Sequence, residues 1–489
     1  MQIKQTTTGL VFFCITGSLL LTIVTVNGEQ YSNPRPTRNC QQYRSRRGEY
    51  EITGNDDSVY CYHQHLYQSA LGSSPNNASI VYVQTLLEKA LSRCDGSGSK
   101  YGHPRQVKKK CRKGRCRRKN KNKKRGKKVA RKPTSYNKIK YGRITPNCAW
   151  ERKEVRTMSR SEWNRFTRRL NILKRPIRNP GRGSFIPYDV ISDIHRSDSN
   201  LDAAHGGPSF LGWHRVYLLI LESAIGVPVP YWDSRLDYDM AEPTDSMLWT
   251  DEFFGPGFGI VDSGPFAGWI TADNVSLVRN IGSGGSLMSA SMVEEILRYR
   301  NHDPIVEPTR RSISLERIHG GPHVWVDGQL SSLQTAPQEP VFFLHHSFVD
   351  YIWYLFRVNM RKNENINPST DYPNKGPRSH GRNENMIPFG DLRNIQGYSD
   401  FLESLTRYRP SPTCPSCGRS KYLECDRGIN RCKSKPKRKV VTPSGASDQR
   451  RRRLGTVLLG TKFISPQTDP RTSGNVLSFG PLLNRTLLV

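Results

Sequence analysis

The chain has 489 residues, and its 75 Lys and Arg against 42 Asp and Glu give a formal net charge of +33. This length allows two or three domains, and the excess of positive charge indicates partners of opposite sign. Beyond the N-terminal region no stretch is long and apolar enough to span a bilayer, which excludes a protein built on several membrane spans.

The first 28 residues have the pattern of a secretory signal peptide. Lys4 provides a positive start, and the apolar stretch Gly9–Val26 leads to a cleavage position after Gly28. A membrane anchor is the alternative, since the stretch is about eighteen residues long, but Thr and Gly interrupt it. We therefore predict a secreted, extracellular protein with no transmembrane anchor after cleavage. Three N-x-S/T sequons are compatible with this route: Asn77, Asn274 and Asn484.

Residues 29–144 form a polar, cysteine-bearing N-terminal region, in which apolar spacing predicts a helix over 79–92. His63 and His65, two residues apart, could bind metal on a strand, but they are interpreted as surface residues. Beyond the signal peptide the cysteines are even in number, which predicts disulfides in an oxidising compartment. They are Cys40, Cys61, Cys94, Cys111, Cys116, Cys148, Cys414, Cys417, Cys425 and Cys432. For the last four, spaced C-x2-C-x7-C-x6-C, a zinc knuckle is the alternative interpretation.

Three basic runs are present. Residues 105–132 hold eighteen Lys and Arg and no acidic residue, and residues 433–439 and 450–453 add more. Such runs repel themselves and lack apolar residues, so we expect them to be disordered. Taken alone they indicate nucleic-acid binding, but secretion argues for acidic matrix polymers or a mineral surface and against a nucleic-acid partner. The run at 450–453 is equally compatible with cleavage by a proprotein convertase.

Regular structure is predicted to resume near residue 145. Ser159 followed by Glu162 is a capping-box pattern and predicts the start of a helix. Periodicity and proline placement then predict a helix over 188–195, a loop over 196–204, a helix over 214–225, an extended segment over 228–233, an irregular stretch over 236–285, helices over 317–323 and 347–357, and an amphipathic segment over 398–408. The chain is therefore predicted to be mainly α with irregular loops, flanked by Cys-rich and basic disordered regions.

Seven of the twelve histidines fall in two short stretches about a hundred residues apart. They are His195, His205, His214, His319, His323, His345 and His346. Two of them, four residues apart in the second stretch, share one face of a helix, and apolar runs draw others into a core. Because a buried imidazole needs a partner and is the commonest metal ligand, we predict a site for Cu, Zn, Fe or Ni.

The segments HGGPSFLGWHR at 205–215 and PVFFLHHSFVD at 340–350 resemble the two copper signatures of the tyrosinases, which are binuclear type-3 copper proteins. The similarity is to secreted, molluscan-type members and covers residues 145–375, a predicted copper-binding domain. It implies a four-helix-bundle dicopper core with ligands on facing helices. Residues 376–489 are then a Cys-containing, basic C-terminal extension.

The resemblance implies two copper ions as cofactors and dioxygen as co-substrate. The implied ligands are His195, His205 and His214 for one copper and His319, His323 and His346 for the other. In the double-His motif of the family the second histidine binds metal, so His345 is expected to hydrogen-bond a ligand from behind. The implied reaction oxidises monophenols and o-diphenols to o-quinones, on small phenols, catechols or protein tyrosines, for crosslinking, hardening or pigmentation of an extracellular matrix.

The resemblance also assigns Phe342, Gly320 and Val324 to the substrate pocket, with core packing as the alternative role of Phe342. Many relatives active on monophenols carry Asn where this chain has Gly320. This departure leaves diphenol oxidation intact and puts monophenol hydroxylation in question. Ala203 stands where some relatives have a cysteine bonded to a ligand, so that crosslink cannot form here.

Two structural expectations concern the ligand helices. Gly320-Gly321-Pro322 lies between His319 and His323, and proline disfavours a helix interior, so this pair is predicted to lie at a distorted helix end. Arg215 and Asp350 are predicted to form a buried ion pair that joins the two ligand helices.

Two other functions remain as alternatives. A haemocyanin-like dioxygen carrier shares the dicopper core, but it needs a covering domain and usually many repeated units, and this chain has one copper unit. A non-catalytic extracellular matrix protein would retain the copper domain as a binding module, and the presence of all six ligands disfavours this alternative. The sequence therefore favours a phenol oxidase.

Overall fold

A computed structural model of the chain describes four ranges: residues 56–74, 76–94, 148–179 and 183–437. The predicted signal peptide and the basic runs at 105–132 and 450–453 lie outside them, so their roles stay predictions. Cys40, Cys111, Cys116 and Asn484 also lie outside. None of the described helices is long and apolar enough to cross a membrane.

The described part of the chain is mainly helical, as predicted. Its α-helices are α1 (Asp56–Ser73), α2 (Ala78–Ser92), α3 (Arg160–Leu173), α4 (Pro187–Ser192), α5 (Asp198–Ala204), α6 (Ser209–Ile225), α7 (Arg235–Tyr238), α8 (Ala290–Arg298), α9 (Leu315–Val326), α10 (Val341–Asn363) and α11 (Asp400–Ser404). The strands are β1 (Trp150–Arg152), β2 (Ile177–Asn179), β3 (Gly183–Phe185), β4 (Phe258–Ile260), β5 (Val278–Asn280), β6 (Thr406–Tyr408), β7 (Leu423–Asp426) and β8 (Arg431–Ser434). They pair as β1–β6, β2–β3, β4–β5 and β7–β8.

Helix α6 is the centre of the core, and all of its residues are buried. It is apolar around most of its circumference, which is the pattern of a helix surrounded by other elements. Helix α4 packs on it through the Tyr217 hydroxyl, which donates to the Ile191 carbonyl at 2.8 Å. Helices α9 and α10 meet where His345 Nε2 donates to the His319 carbonyl at 2.9 Å. The predicted four-helix core is therefore present as α4, α6, α9 and α10.

Helices α1 and α2 lie against α6, and α2 is the helix predicted over 79–92. The expected surface position of His63 is wrong, because this residue is buried. Its Nε2 donates to the Ala224 carbonyl at 2.9 Å, and its Nδ1 accepts from the Tyr82 hydroxyl at 2.8 Å. His65 is exposed, as expected. A buried imidazole that joins three helices replaces the expected surface ring.

The capping box predicted at the start of α3 is present: the Ser159 side chain accepts from the Glu162 N–H, and Glu162 accepts from the Ser159 N–H. The helix predicted over 188–195 is α4 followed by a turn of 3-10 helix, Asp193–His195. The loop predicted over 196–204 is wrong in part, because Asp198–Ala204 is the short helix α5. Helices this short depend on tertiary packing, which local propensity does not report.

Helices α6 and α10 begin earlier than predicted. Each starts directly after a proline, Pro208 or Pro340, that occupies the N-cap position. A proline is tolerated at a helix start, because no backbone N–H is needed there. His214 and His346 therefore lie in the second turns of these helices and not at their starts.

The prediction of a distorted helix end around Pro322 is wrong. Helix α9 continues through this proline to Val326, so His319 and His323 both lie inside one helix. Packing outweighs the local cost: a Cβ on Gly321 would lie 2.4 Å from the Ser286 carbonyl oxygen, so the glycine lets a neighbouring backbone approach. The Ser286 N–H in turn donates to the Gly321 carbonyl at 3.3 Å.

The chain beyond residue 375 packs on the same core up to residue 437. Strand β6 pairs in parallel with β1, and the Ser434 hydroxyl lies 3.1 Å from that of Ser246. Disulfides join Cys94 to Cys148, Cys414 to Cys425, and Cys417 to Cys432. The zinc-knuckle alternative is therefore wrong, because cysteines in disulfides provide no thiolate ligands.

Candidate metal centre

The first group of predicted ligands comes together at one point in the core. His195 ends the 3-10 turn after α4, His205 follows α5, and His214 lies in α6. One ring nitrogen from each lies within 4.8 Å of the others. Two short helical segments and one long helix thus place three imidazoles around a common volume.

The second group forms a matching trio. His319 and His323 project from α9 at the predicted spacing of four residues, and His346 projects from α10. Their ring nitrogens also lie within 4.8 Å of one another. The trios face each other: the rings of His214 and His346 stack with centroids 4.3 Å apart and an interplanar angle of 12°.

Five of the six rings donate a hydrogen bond from Nδ1 to a backbone carbonyl. His195 donates to Leu333 at 2.8 Å, His205 to Leu201 at 3.3 Å, His214 to Phe210 at 2.9 Å, His323 to Leu330 at 2.9 Å, and His319 to Glu316. In a neutral imidazole with Nδ1 protonated, Nε2 carries the lone pair. These contacts therefore fix the tautomer and aim the Nε2 lone pairs at the shared volume.

The electrostatics of the two trios fit a bound metal. Burial lowers the pKa of His195 to about 3 and of His323 to about 4, and it lowers the pKa values of the other four well below 6.5. His195 Nε2 and His214 Nε2 lie 3.4 Å apart, although both rings use Nδ1 as donor. Two buried lone pairs in that position need a cation between them. Six neutral nitrogen ligands suit copper, zinc, iron or nickel.

His345 lies outside both trios. Its Nε2 donates to the backbone carbonyl of His319 at 2.9 Å, and the two rings are parallel with centroids 5.7 Å apart. The expected hydrogen bond to a predicted ligand is present, but it reaches the backbone and not the ring. His345 therefore supports the position of α9.

The predicted pocket residues occupy different places. The Phe342 ring is fully buried. Its centroid lies 4.1 Å from that of the His346 ring and 5.3 Å from that of the His195 ring, so it packs beneath both trios. Gly320 is buried in α9 beside His319. Val324 is half-buried, and its Cβ packs next to Gly285. Phe342 therefore has the core-packing role, in contact with the predicted ligands, and its assignment to a substrate pocket stays a prediction.

The predicted pair of Arg215 and Asp350 is present, and it belongs to a larger buried network. Arg215 Nε lies 2.8 Å from Asp350 Oδ1, and Arg152 Nη1 lies 3.1 Å from Asp350 Oδ2. Arg152 Nε also lies 2.8 Å from Glu222, and the Tyr408 hydroxyl donates to Asp350 at 2.5 Å. These contacts join α6, α10, β1 and β6, so strands distant in sequence hold the ligand helices together.

Two residues that sequence reasoning missed support the loop after His205. His380 Nε2 donates to the His205 carbonyl at 2.8 Å. Glu316 Oε1 accepts from the Gly206 N–H at 2.6 Å, and burial raises the pKa of this carboxyl to about 8. The sequence could have indicated a role for Glu316, because this residue precedes His319 by three positions in the first turn of α9. No sequence pattern indicated a role for His380, which lies outside both histidine stretches.

Two facing trios of neutral imidazoles in a helical core provide the donors for a dinuclear transition-metal centre. A family model described as the common central domain of tyrosinase matches residues 186–359. A tyrosinase of Streptomyces antibioticus is 31% identical over 274 residues, which are 49% of this chain and 93% of that protein. Tyrosinase-like protein 2 of Margaritifera margaritifera is 34% identical over 311 residues, 58% of this chain and 66% of that protein.

A tyrosinase-like protein of Caenorhabditis elegans is 32% identical over 345 residues, which are 64% of this chain and 48% of that protein. The chain thus spans about half to two thirds of the length of these invertebrate relatives. From these similarities and the site, the chain belongs to the tyrosinase family of type-3 copper proteins. This family membership implies a binuclear copper site, for which the two histidine trios provide the donors.

Proposed function

We propose that this protein is a secreted phenol oxidase that uses dioxygen to convert monophenols or o-diphenols to o-quinones. The observation that carries the proposal is the pair of facing histidine trios, which is complete and has its Nε2 atoms turned inward. Five of the six rings are buried, and His205 is half-buried. His195, His205 and His214 would hold one copper ion, and His319, His323 and His346 the other. Copper bound there supplies the redox chemistry with dioxygen.

The chain's own residues position the ligands and exclude water. The carbonyls of Leu333 and Leu330 belong to one loop and anchor His195 and His323, so this loop sets the geometry of both trios together. Phe342 and Phe210 cover the rings with apolar surface. The centroid of the Phe210 ring lies 4.7 Å from that of His214 and 4.8 Å from that of His319. A dry, rigid centre of this kind needs little rearrangement when a substrate binds.

Secretion, and a role in crosslinking, hardening or pigmentation of an extracellular matrix, are part of the proposal. They rest on the signal-peptide pattern and on the similarity to tyrosinase-like proteins of invertebrates. Small phenols, catechols or protein tyrosines are the proposed substrates. The basic runs are proposed to attract acidic matrix polymers or a mineral surface, because long single-sign runs bind polymers of opposite charge.

The test is oxygen uptake by the copper-loaded, full-length protein with catechol and then with tyrosine, before and after limited proteolysis. We expect rapid uptake with catechol and slow uptake with tyrosine. A variant with His319→Asn is the control for copper-independent oxidation. Reversible binding of dioxygen without net consumption would instead support a carrier. Copper binding with neither response, even after proteolysis, would support a non-catalytic matrix protein.

A further inference from the structure

A basic cleft of about 540 Å³ lies on the surface near the start of α9. Its walls carry four cations, Arg300, Arg310, Arg311 and Lys375, against one carboxylate, Asp303, among the lining residues. The ring of Tyr299 forms part of the wall. A volume of this size accommodates a small ligand or a short segment of a polymer.

Two of the four cations are available to a ligand. Lys375 Nζ is paired with Asp303 at 3.3 Å, and Arg300 Nε lies 3.5 Å from Glu364. Within the described part of the chain, the Arg310 and Arg311 guanidinium groups have no carboxylate partner, and both residues are exposed. The cleft therefore presents the guanidinium groups of two consecutive residues, neither of which is paired with a described carboxylate.

The geometry favours a flat, anionic ligand. The Arg311 guanidinium stands 5.8 Å from the centroid of the Tyr299 ring, so a planar cation and an aromatic face line the same wall. Pro304 and Pro308 add apolar surface. A guanidinium binds carboxylate or sulfate through two parallel hydrogen bonds, and an aromatic face packs against the C–H groups of a sugar ring.

From these observations we infer that the cleft is a binding site for the carboxylate or sulfate groups of an acidic polysaccharide. A peptide of acidic residues alone would satisfy the arginines but would leave the aromatic and proline surfaces unused. The site lies in the folded domain and is separate from the basic runs. It requires no copper, so its test is independent of the proposed oxidase activity.

The cleft is connected to the metal centre by a short, braced segment. Glu307 pairs with Arg317 at 3.0 Å and accepts from the Ser314 hydroxyl at 2.6 Å, where α9 begins. Arg311 and His319 are eight residues apart and half of these are helical, so their Cα atoms lie within about 20 Å of each other. A polysaccharide held in the cleft is therefore kept close to the site of proposed quinone formation.

The experiment must separate the cleft from the basic runs, which also attract polyanions. We would treat the full-length protein with phenylglyoxal, which modifies arginine, and measure the rate at each arginine by mass spectrometry. The probes are a sulfated tetrasaccharide, a uronic-acid tetrasaccharide and hexa-aspartate. With either sugar at ten times its dissociation constant, modification of Arg310 and Arg311 should slow about tenfold, because about a tenth of the sites remain free.

The internal control is Arg407, an exposed arginine on β6, whose rate should not change. A full-length variant with Arg310→Gln and Arg311→Gln should lose this tight class of sugar binding in calorimetry, while a variant with Arg407→Gln keeps it. Both variants should keep the melting temperature of the wild type, which shows that they fold. Equal protection of all three arginines, no protection, or protection by hexa-aspartate alone would overturn the inference. Protection by only one sugar identifies the anionic group that is bound.

Discussion

His380 Nε2 donates a hydrogen bond of 2.8 Å to the carbonyl oxygen of His205, although 175 residues separate the two. The other ring nitrogen, Nδ1, lies 3.1 Å from the Ser209 backbone nitrogen and accepts its N–H. A Cβ on Gly207 would lie 2.5 Å from the His380 ring, so the glycine lets the ring close on the loop. One fully buried imidazole thus fixes both a proposed copper ligand and the start of α6.

Replacing this ring should weaken the first metal site. We expect His380→Phe to lower copper affinity at that site by about 10–100-fold, the usual cost of losing a residue that orients a ligand. The measurement is copper retained per chain against a graded chelator. His63→Phe is the matched control, since it removes another buried histidine; it should lower the melting temperature and leave copper retention unchanged. Wild-type retention in His380→Phe would show that His205 needs no such support.

The two neighbouring histidines of the double motif should behave differently. His346→Gln is expected to reduce bound copper from two ions to one and to abolish catechol oxidation, because its ring belongs to the second trio. His345→Gln should retain both ions, since this ring belongs to neither trio and its hydrogen bond reaches the backbone carbonyl of His319. Metal analysis of the purified variants measures the difference. If both variants lost copper equally, the assignment of His346 as the ligand would fail.

Gly320 should limit activity on monophenols. Gly320→Asn is expected to raise the ratio of tyrosine to catechol oxidation at least about tenfold, which is a part of the about 10²–10⁴-fold that a positioned proton-transfer group contributes. Gly320→Ala is the matched control, because it adds the Cβ without the amide. Oxygen-uptake rates on both substrates give the ratio. A similar ratio in the Asn and Ala variants would show that the amide has no part in monophenol oxidation.

The buried network at Asp350 should contribute strongly to stability. Asp350→Asn leaves two buried arginines without their shared carboxylate, so we expect the free energy of unfolding to fall by about 3–5 kcal/mol. The exposed pair of Arg409 and Glu151 is the control, and Glu151→Gln should cost about 1 kcal/mol or less. Urea unfolding of both variants measures the contrast. If the two variants lost comparable free energies of unfolding, Asp350 would not be the residue through which the network stabilises the fold.

His63 should make stability depend on pH. Burial lowers its pKa to about 3, whereas the unfolded imidazole takes up a proton near pH 6.5, so falling pH favours unfolding between these values. Protonation of this imidazole in the unfolded chain should lower the free energy of unfolding by about 1.4 kcal/mol per pH unit below 6.5. The stability advantage of the wild type over His63→Gln should therefore shrink by about 1.4 kcal/mol between pH 7.5 and 5.5. His65→Gln, at an exposed neighbour, should show no such change, and a constant gap for His63→Gln would contradict the buried neutral ring.

Much of the histidine set that meets in the core could be predicted from sequence, because its signals are local, while the choice of six ligands among the seven histidines came from the family resemblance. Helical spacing placed His319 and His323 on one face, and apolar runs marked α6 and α10 as buried helices. Local signals failed where packing outweighed propensity. Helix α5 formed where a loop was expected, and α9 continued through Pro322.

What the sequence determined by itself was therefore the mainly α class, the histidine set and the balance of charge. Each follows from residue type and short-range periodicity. The tertiary structure alone decided that the two trios face each other, that His380 returns to hold His205, and that β6 pairs with β1. Contacts between residues so far apart depend on the packing of the whole chain, and no local pattern reports them.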